Sequence, residues 1–436
     1  MPKVGSYYGG TKFIENPAGG AGVRITAISP ASETSFDADM GENRTINGTK
    51  FSEGIEVGAF GDTSNGYDSG TTTVSLPTSY TDADNVDPGN TGVPITIPAG
   101  EETTLVKTVA DNWEWRVSIL RHWMPIHVVA QTPPTDALPP AIGATSKVSR
   151  FTKADIDLTI LPNEVGFAIS SFGLLNKWRW NWQFQRTRRP AMDRFTPNAY
   201  ELSYARDSSK VAIEALLAQC LDINSTDKEF LAAWTVIHAE NIVQQLENGM
   251  RYNFPETDGG VQNGRKMIVC MAAMLTGDAL FTSWAHRTDW AIEDTYCQYI
   301  TQAHLDAYGA GLPGVTDGFL AEDLGIPWWF PGPNAPQQAV KSRPIRAISR
   351  SSYQEMFFVN MVGFYALCGL IPGMQAMWNN QVVFDWLDRT CYRTLYNDPA
   401  TEVGWGLRSG GTNNVSHFSK DLFNAFAPAP VWDWPA

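Results

Sequence analysis

The chain has 436 residues, a formal net charge of −14 and an isoelectric point near 4.9. This acidity argues against a general nucleic-acid binder and against a cationic protein of membrane surfaces. The length suits two or three domains, and the 16 Trp residues supply large apolar side chains for cores or for flat surface platforms.

Residues 1–150 have a pattern typical of strands and turns. Short alternating stretches at 23–29, 71–77 and 93–109 are separated by clusters of Gly, Asn, Asp and Pro. This spacing predicts a β-rich, sandwich-like domain. The Pro-rich segment 132–143 is predicted to be a linker that follows it.

Residues 151–194 are predicted to form an extended connecting segment. Within it, KWRWNWQFQRTRR at 177–189 alternates four aromatic residues with polar ones, beginning at Trp178. A period of two places the aromatics on one face of a strand. A strand that buries this face is the simpler interpretation, and a strip that stacks on sugars is the alternative.

Residues 195–436 have a helical pattern, because apolar residues recur at i, i+3 and i+4 in stretches joined by loops. Thr226 to Glu229 matches a capping box that opens the second helix, which is predicted to end near Gly249. We expect successive helices to pair in antiparallel fashion. The other predicted helices cover 207–222, 264–276, 351–370, 379–396 and 419–426.

Several classes of feature are not expected from the sequence. The first residues, MPKVGSYYGGTKF, lack the apolar centre of a secretion signal, and the longest apolar run, 355–371, is short for a membrane span. We therefore expect synthesis in a cytoplasm and no membrane insertion. The five Cys residues show neither disulfide nor zinc spacing, so buried free thiols are expected, with no cofactor and no metal.

The stretch GGVQNGRKMIVCMAAMLTGD at 259–278 carries polar residues from a Gly-rich turn into an apolar helix. Gly259 and Gly264 have the spacing of a phosphate-binding loop. That motif continues with Lys and then Ser or Thr, whereas this chain continues with Arg265 and Lys266. The nucleotide-binding interpretation is therefore disfavoured.

Two expectations follow for the same turn. Asn263 is a favoured residue for capping the helix 264–276. Arg265 is predicted to point into a polar cleft, where it either neutralises a sugar carboxylate or pairs with an acid such as Glu293. A helix that is apolar over Met267 to Leu275 needs burial on nearly every side.

This stretch resembles a segment of a family of phage and bacterial proteins related to alginate-lyase-like and heparinase-like enzymes. The resemblance covers about 195–400 and implies an (α/α) toroid. The other similar stretches are ELSYARDSSKVAIEALL (201–217), IEDTYCQYITQAHLDAY (292–308), LGIPWWFPGP (324–333) with RSSYQEMFFVNMVGFYALCGL (350–370), and MWNNQVVFDWLDR (377–389).

Two positions depart from the family pattern, and both lose a histidine. The turn has Gln262-Asn263 where His is common, and Asn380 stands where His is usual. Enzymes of this family neutralise a uronate carboxylate with Asn, Arg or His and move protons with Tyr or His. The resemblance therefore leaves as catalytic candidates Asn263, Arg265, Tyr299 and Tyr252, and as substrate contacts Arg206, Lys266, Asn379 and Asn380.

Trp328, Trp329 and Phe330 lie between two prolines in a loop, and a loop does not easily bury three aromatic side chains. They are predicted to be partly exposed substrate contacts, with a subunit contact or core anchoring by one of them as alternatives. Asp385 and Asp388 lie three residues apart on one helix. They suit acid–base chemistry or, more commonly, a salt-bridge network.

Three functions stay open at this stage. The favoured one is a polysaccharide-recognising virion protein, such as a phage fibre or spike component, whose lyase-like helical domain has lost or weakened catalysis. The second is an active lyase of uronate-containing polysaccharides, and the third is a purely structural virion component. Expected partners are a polysaccharide or host surface glycan, other virion proteins and further copies of the chain, but not nucleic acid.

Overall fold

The chain combines strands and helices, as the sequence predicts for its fold class. Most strands precede residue 130, and the α-helices follow residue 173. In this computed structural model the described residues are 3–27, 33–37, 42–46, 49–52, 95–113, 116–142, 144, 146–167, 174–179, 205–247, 264–313, 318–329, 352–391 and 417–429.

The N-terminal strands form one larger sheet and two small ones. The strands are β1 (Val4–Ser6), β2 (Lys12–Glu15), β3 (Val23–Ile25), β4 (Glu33–Asp37), β5 (Glu42–Ile46), β6 (Thr49–Ser52), β7 (Ile95–Ile97), β8 (Thr103–Trp113) and β9 (Arg116–Val129). The larger sheet has the order β1-β2-β9-β8-β6, in which β2 lies parallel to β9 and the other pairs are antiparallel. Strand β3 pairs with β7, and β4 pairs with β5.

The predicted strands at 23–29 and 93–109 correspond to β3, β7 and the first part of β8. The predicted strand at 71–77 lies outside the described residues. Two further short strands, β10 (Cys297–Tyr299) and β11 (Pro327–Trp329), pair with each other in the helical half. The sequence pattern did not indicate that pair.

The helices that the periodicity predicts are present with small shifts at their ends. The helices at 279–286, 292–296, 302–308 and 374–378 were not predicted. The helices are α1 (Leu174–Arg179), α2 (Ala205–Ala218), α3 (Ser225–Glu247), α4 (Arg265–Thr276), α5 (Ala279–His286), α6 (Ile292–Tyr296), α7 (Gln302–Tyr308), α8 (Ser352–Leu370), α9 (Met374–Trp378), α10 (Gln381–Cys391) and α11 (His417–Phe426). Among these described helices, none has both the length and the apolar character that crossing a membrane requires.

The start of α3 differs from the prediction. The Asn224 side-chain oxygen accepts the backbone N–H of Asp227 at 2.8 Å, so the cap lies before Ser225 rather than at Thr226. The capping-box assignment was therefore wrong. Asn and Thr are both favoured N-cap residues, so the sequence alone did not distinguish a cap at Asn224 from a capping box at Thr226.

The predicted aromatic strand near Trp178 is also wrong in its described part, since Leu174–Arg179 is a helix. Leu174 and Trp178 are four residues apart and both are buried, which is helical spacing. The Trp178 indole N–H donates to the Leu231 carbonyl at 3.2 Å. Residues 180–189 lie outside the described residues.

The Pro-rich segment is packed rather than exposed. Residues 137–142 are buried, and the Ile142 N–H donates to the Asn241 side-chain oxygen at 3.0 Å. Leu138 belongs to the large helical core, whereas Ala137 belongs to a small cluster with Tyr7, Phe13 and Val129. Beyond it, 153–155 and 158–160 are 3-10 turns, not strands.

Helix α4 lies within the large core. Arg265 to Ala273 and Leu275 are all buried, which confirms the expectation that this helix is enclosed on nearly every side. It packs between α3 and α5. The turn that precedes α4 is therefore attached to one of the most enclosed helices of the described chain. The five Cys side chains are free thiols, and four of them are buried.

Candidate functional site

The turn at the start of α4 is held by a buried carboxylate. Gly264 is the N-cap residue, with a φ of 87°, and its backbone N–H donates to a Glu293 carboxylate oxygen at 2.6 Å. The predicted cap at Asn263 is therefore displaced by one residue, because a left-handed N-cap favours Gly. Asn263 itself and Tyr252 lie outside the described residues.

Lys266 and Asp294 form a buried ion pair, with the ammonium 2.5 Å from the carboxylate and both side chains 0% exposed. The other oxygen of Asp294 accepts the Trp378 indole N–H at 2.8 Å and the Asn380 amide N–H at 2.9 Å. Lys266 also donates to the Arg287 carbonyl at 2.9 Å. We call these four side chains, Lys266, Asp294, Trp378 and Asn380, the Lys266 cluster.

The Lys266 cluster corrects two predicted substrate contacts. The Lys266 ammonium is enclosed and is already bonded to a carboxylate and a carbonyl, and it lies 4.9 Å from the centre of the Trp378 ring. Asn380 donates a hydrogen bond to the same Asp294 oxygen that accepts from Trp378. A charge buried in this way needs such partners, so both residues serve the fold.

Burial shapes the acidity of the two carboxyl groups beside the turn. It raises the pKa of Glu293 to about 7, although the hydrogen bond from the Gly264 N–H lowers that pKa. Burial also raises the pKa of Asp294, while Lys266 lowers it. The turn therefore depends on one carboxyl group that titrates near neutrality and on another that is fixed by a cation.

Arg265 is 3% exposed, so it does not point into solvent. The ion pair that the structure describes at this turn joins Lys266 to Asp294 rather than Arg265 to Glu293. Asn379 has a φ of 56° at the C-terminal end of α9, and its side-chain N–H donates to the His286 carbonyl at 3.0 Å. This predicted substrate contact also has a structural role in a turn. The side chain of Arg206, on α2, lies outside the described residues.

Of the two predicted catalytic residues that the structure describes, Arg265 is buried and Tyr299 lies at the surface, with 37% of it exposed. Strand β10 presents it beside helix α10, where its hydroxyl donates to one carboxylate oxygen of Asp385. The Gln381 amide N–H donates to the other oxygen at 2.7 Å. Gln381 and Asp385 are one helical turn apart, so α10 positions both. We call Tyr299, Gln381 and Asp385 the Tyr299 face.

The chemistry of the Tyr299 face follows from its hydrogen bonds. Partial burial raises the pKa of Tyr299 well above its ordinary value, and the hydrogen bond to the Asp385 carboxylate raises it further. The phenol therefore keeps its proton at neutral pH. Because its proton is already donated to Asp385, the phenol oxygen of Tyr299 can accept a hydrogen bond from a ligand, but it is not prepared to remove a proton from a sugar carbon.

The aromatic loop differs from its prediction. Trp328 is 5% exposed, packs edge-on against Phe319 with ring centres 5.5 Å apart, and lies 5.0 Å from the Arg389 guanidinium. Pairing of β11 with β10 fixes this inward position. Trp328 is therefore a core anchor, which was the alternative left open for one of the three aromatics, and not a partly exposed substrate contact. The side chain of Trp329 and all of Phe330 lie outside the described residues.

Asp385 and Asp388 do not form an acid–base pair. Asp385 accepts from Tyr299, whereas Asp388 accepts from the hydroxyl of the buried Tyr365. Arg389 donates to the Pro327 carbonyl at 3.0 Å. The partnership of Tyr299 with Asp385 was missed at the sequence level, since 86 residues separate the two and no local pattern marks it.

Comparison with known proteins gives no relative from which a role could be transferred. No protein-family model, curated protein or solved structure matches the chain.

Proposed function

We propose that this chain is a virion protein of the phage fibre or spike type that recognises a polysaccharide through its helical part without cleaving it. The observation that carries the proposal is the Tyr299 face, where an exposed phenol keeps its proton beside Asp385. The function is thus recognition, with the catalytic role of a related fold lost.

The Tyr299 face has the chemistry that sugar hydroxyls need. Asp385 holds the phenol in one orientation, and Gln381 holds the carboxylate, so the donors and acceptors are preorganised. The Tyr299 ring is partly exposed, and Tyr combines an apolar ring with a polar tip. Such a group binds a hydroxyl-rich ligand with little loss of side-chain freedom.

The arrangement at the α4 turn supports binding without cleavage. A lyase of uronates needs a cation for the sugar carboxylate and a base for the adjacent carbon. Lys266 is enclosed by Asp294 and Arg287, and Tyr299 retains its proton. The two positions where His is common in the family that the chain resembles lack it, since the turn has Gln262-Asn263 and the other position has Asn380.

The finer architecture belongs to the same proposal. We infer that the helices of 195–436 form part of an (α/α) toroid, for which the packing of α3 on α4 and of α2 on α8 is support. The strands of the N-terminal part form a sandwich-like module that attaches to other virion proteins or to further copies of the chain. This inference depends on the motif resemblance as well as on the observed packing.

A matched pair of variants tests the Tyr299 face. Tyr299→Phe removes only the hydroxyl. We expect it to weaken binding to the arrayed glycans that bind the wild type by about fivefold, which is the contribution of one hydrogen bond. Tyr308→Phe, at a partly buried site on α7, is the control and should bind normally. Equal binding by both variants and the wild type would contradict a role for this face.

A further inference from the structure

A groove lies between helix α3 and the segment that follows β9. Its volume is about 560 Å³, within the range of roughly 300 to 1,000 Å³ typical of small-molecule sites. Its lining comes from residues 135–136, from 152–154 and 156–159, and from Glu229 near the start of α3. The groove shares no residue with the Tyr299 face.

One wall of the groove carries a donor and an acceptor that are held together. The Lys153 ammonium lies 2.5 Å from a Glu229 carboxylate oxygen, and both side chains are partly exposed, at 39% and 26%. The Tyr8 hydroxyl lies 3.5 Å from the same oxygen, and Lys153 lies 5.5 Å from the centre of the Tyr8 ring. A ligand therefore meets an ammonium and a carboxylate in fixed positions.

The lining of the groove also includes a second carboxylate and apolar surface. Asp136 is exposed, and its left-handed backbone, with a φ of 62°, is held by the Lys153 N–H, which donates to its carbonyl at 2.9 Å. Ile156 and Leu158 are half-buried and pack against the helical core. The groove thus combines charged polar groups with an aliphatic surface.

We propose that this groove binds a neutral saccharide and forms a second glycan subsite. Sugar hydroxyls can donate to Asp136 and Glu229 and accept from Lys153, while the C–H face of a pyranose ring fits against Ile156 and Leu158. The lining has three carboxylates, Asp136, Asp157 and Glu229, and one ammonium. An anionic uronate is therefore repelled, which separates this subsite from a site for acidic polysaccharide.

Saturation-transfer NMR of the full chain with maltose, cellobiose or lactose measures binding at the groove. We expect saturable binding of at least one disaccharide, and no competition from alginate oligosaccharides. Asp136→Asn keeps the left-handed backbone accessible and should weaken binding about fivefold, and Lys153→Met should do the same. Asp222→Asn is the matched control, because Asp222 is exposed and lies outside the groove.

Each outcome decides for or against the subsite. Absence of saturable binding for all three disaccharides overturns the proposal, and so does binding that neither groove variant weakens. Unchanged thermal unfolding of Asp136→Asn shows that a loss of binding is local. That the groove is a second glycan subsite rests on the proposed function, but its lining shares no residue with the Tyr299 face. Disaccharide binding that Asp136→Asn and Lys153→Met weaken belongs to the groove, whereas binding that only Tyr299→Phe weakens belongs to the Tyr299 face and overturns the groove proposal.

Discussion

At the scale of single residues, Glu293 links the α4 turn to pH. Burial raises its pKa from 4.5 to about 7, so the folded chain holds a proton that the unfolded chain releases near pH 4.5. The free energy of unfolding therefore falls as pH rises from about 4.5 to about 7, and is level above that. A shift of this size corresponds to roughly 3 kcal/mol.

Substitution of Glu293 tests this dependence. In Glu293→Gln, urea unfolding between pH 4.5 and 7.5 should show a shallower decline than in the wild type, because the amide cannot release a proton. Glu101→Gln changes an exposed residue and should reproduce the wild-type slope. The same slope in all three proteins would show that Glu293 is not responsible. Glu240, whose pKa burial also raises to about 7, contributes a decline that both variants retain.

At this turn, the type of interaction could be predicted from the sequence, but the residues that form it could not. A buried cation beside an acid was expected, but the pair is Lys266 with Asp294 rather than Arg265 with Glu293. Two adjacent cations and two adjacent acids offer several pairings, and only the direction of each side chain decides among them. Asp385 as the partner of Tyr299 could not be predicted, because α10 and β10 meet only in the folded chain.

At the scale of elements, Gly264 fixes where α4 begins. Its φ of 87° disfavours an L side chain, and an added Cβ atom would lie 2.5 Å from the hydroxyl oxygen of the buried Ser209. Gly277 ends the same helix with a φ of 63° but has open space around its Cβ position. A side chain at Gly277 would therefore cause backbone strain alone, whereas a side chain at Gly264 would cause both backbone strain and steric overlap.

We predict that Gly264→Ala lowers the free energy of unfolding by about 2 to 4 kcal/mol, whereas Gly277→Ala lowers it by only about 1 kcal/mol. Urea unfolding measures both. Because the Gly264 N–H also donates to Glu293, movement of this turn should disturb that hydrogen bond as well as the start of α4. Equal losses for the two variants would show that Ser209 adapts and that the turn is not rigid.

Helices were predictable from sequence where the periodicity is local, as in α2, α4 and α8. The errors arose where tertiary contacts decide. The aromatic alternation around Trp178 indicated a strand, but its indole bonds to α3 and the described segment is helical. Trp328 was expected at the surface, but pairing of β11 with β10 places it in the core.

At the scale of the whole molecule, the Pro-rich segment connects the strands to the helices by direct packing. Ile142 is bonded to the buried Asn241 of α3, and Tyr8 reaches Glu229 at the start of the same helix. Composition predicted a linker, since Pro-rich segments are often exposed spacers. Burial of 137–142 could not be predicted, because it depends on the surface that α3 presents.

Limited proteolysis tests this packing. The wild-type chain should resist cleavage within 137–142, whereas Asn241→Ala leaves the Ile142 N–H without its acceptor, costs about 1 to 3 kcal/mol and should expose the segment. Gln244→Ala, on the same helix and partly buried, is the control and should behave like the wild type. Rapid cleavage of the wild type within 137–142 would restore the interpretation as a linker.

The central claim is recognition of a polysaccharide without cleavage, and one measurement addresses it most directly. The full chain is incubated with alginate and with other uronate-containing and neutral polysaccharides, and bound protein and the ultraviolet absorbance of unsaturated product are recorded together. We predict saturable binding to at least one polysaccharide with no rise in absorbance. A rise in absorbance that depends on the protein concentration would show an active lyase, and absence of binding to every polysaccharide would contradict the account altogether.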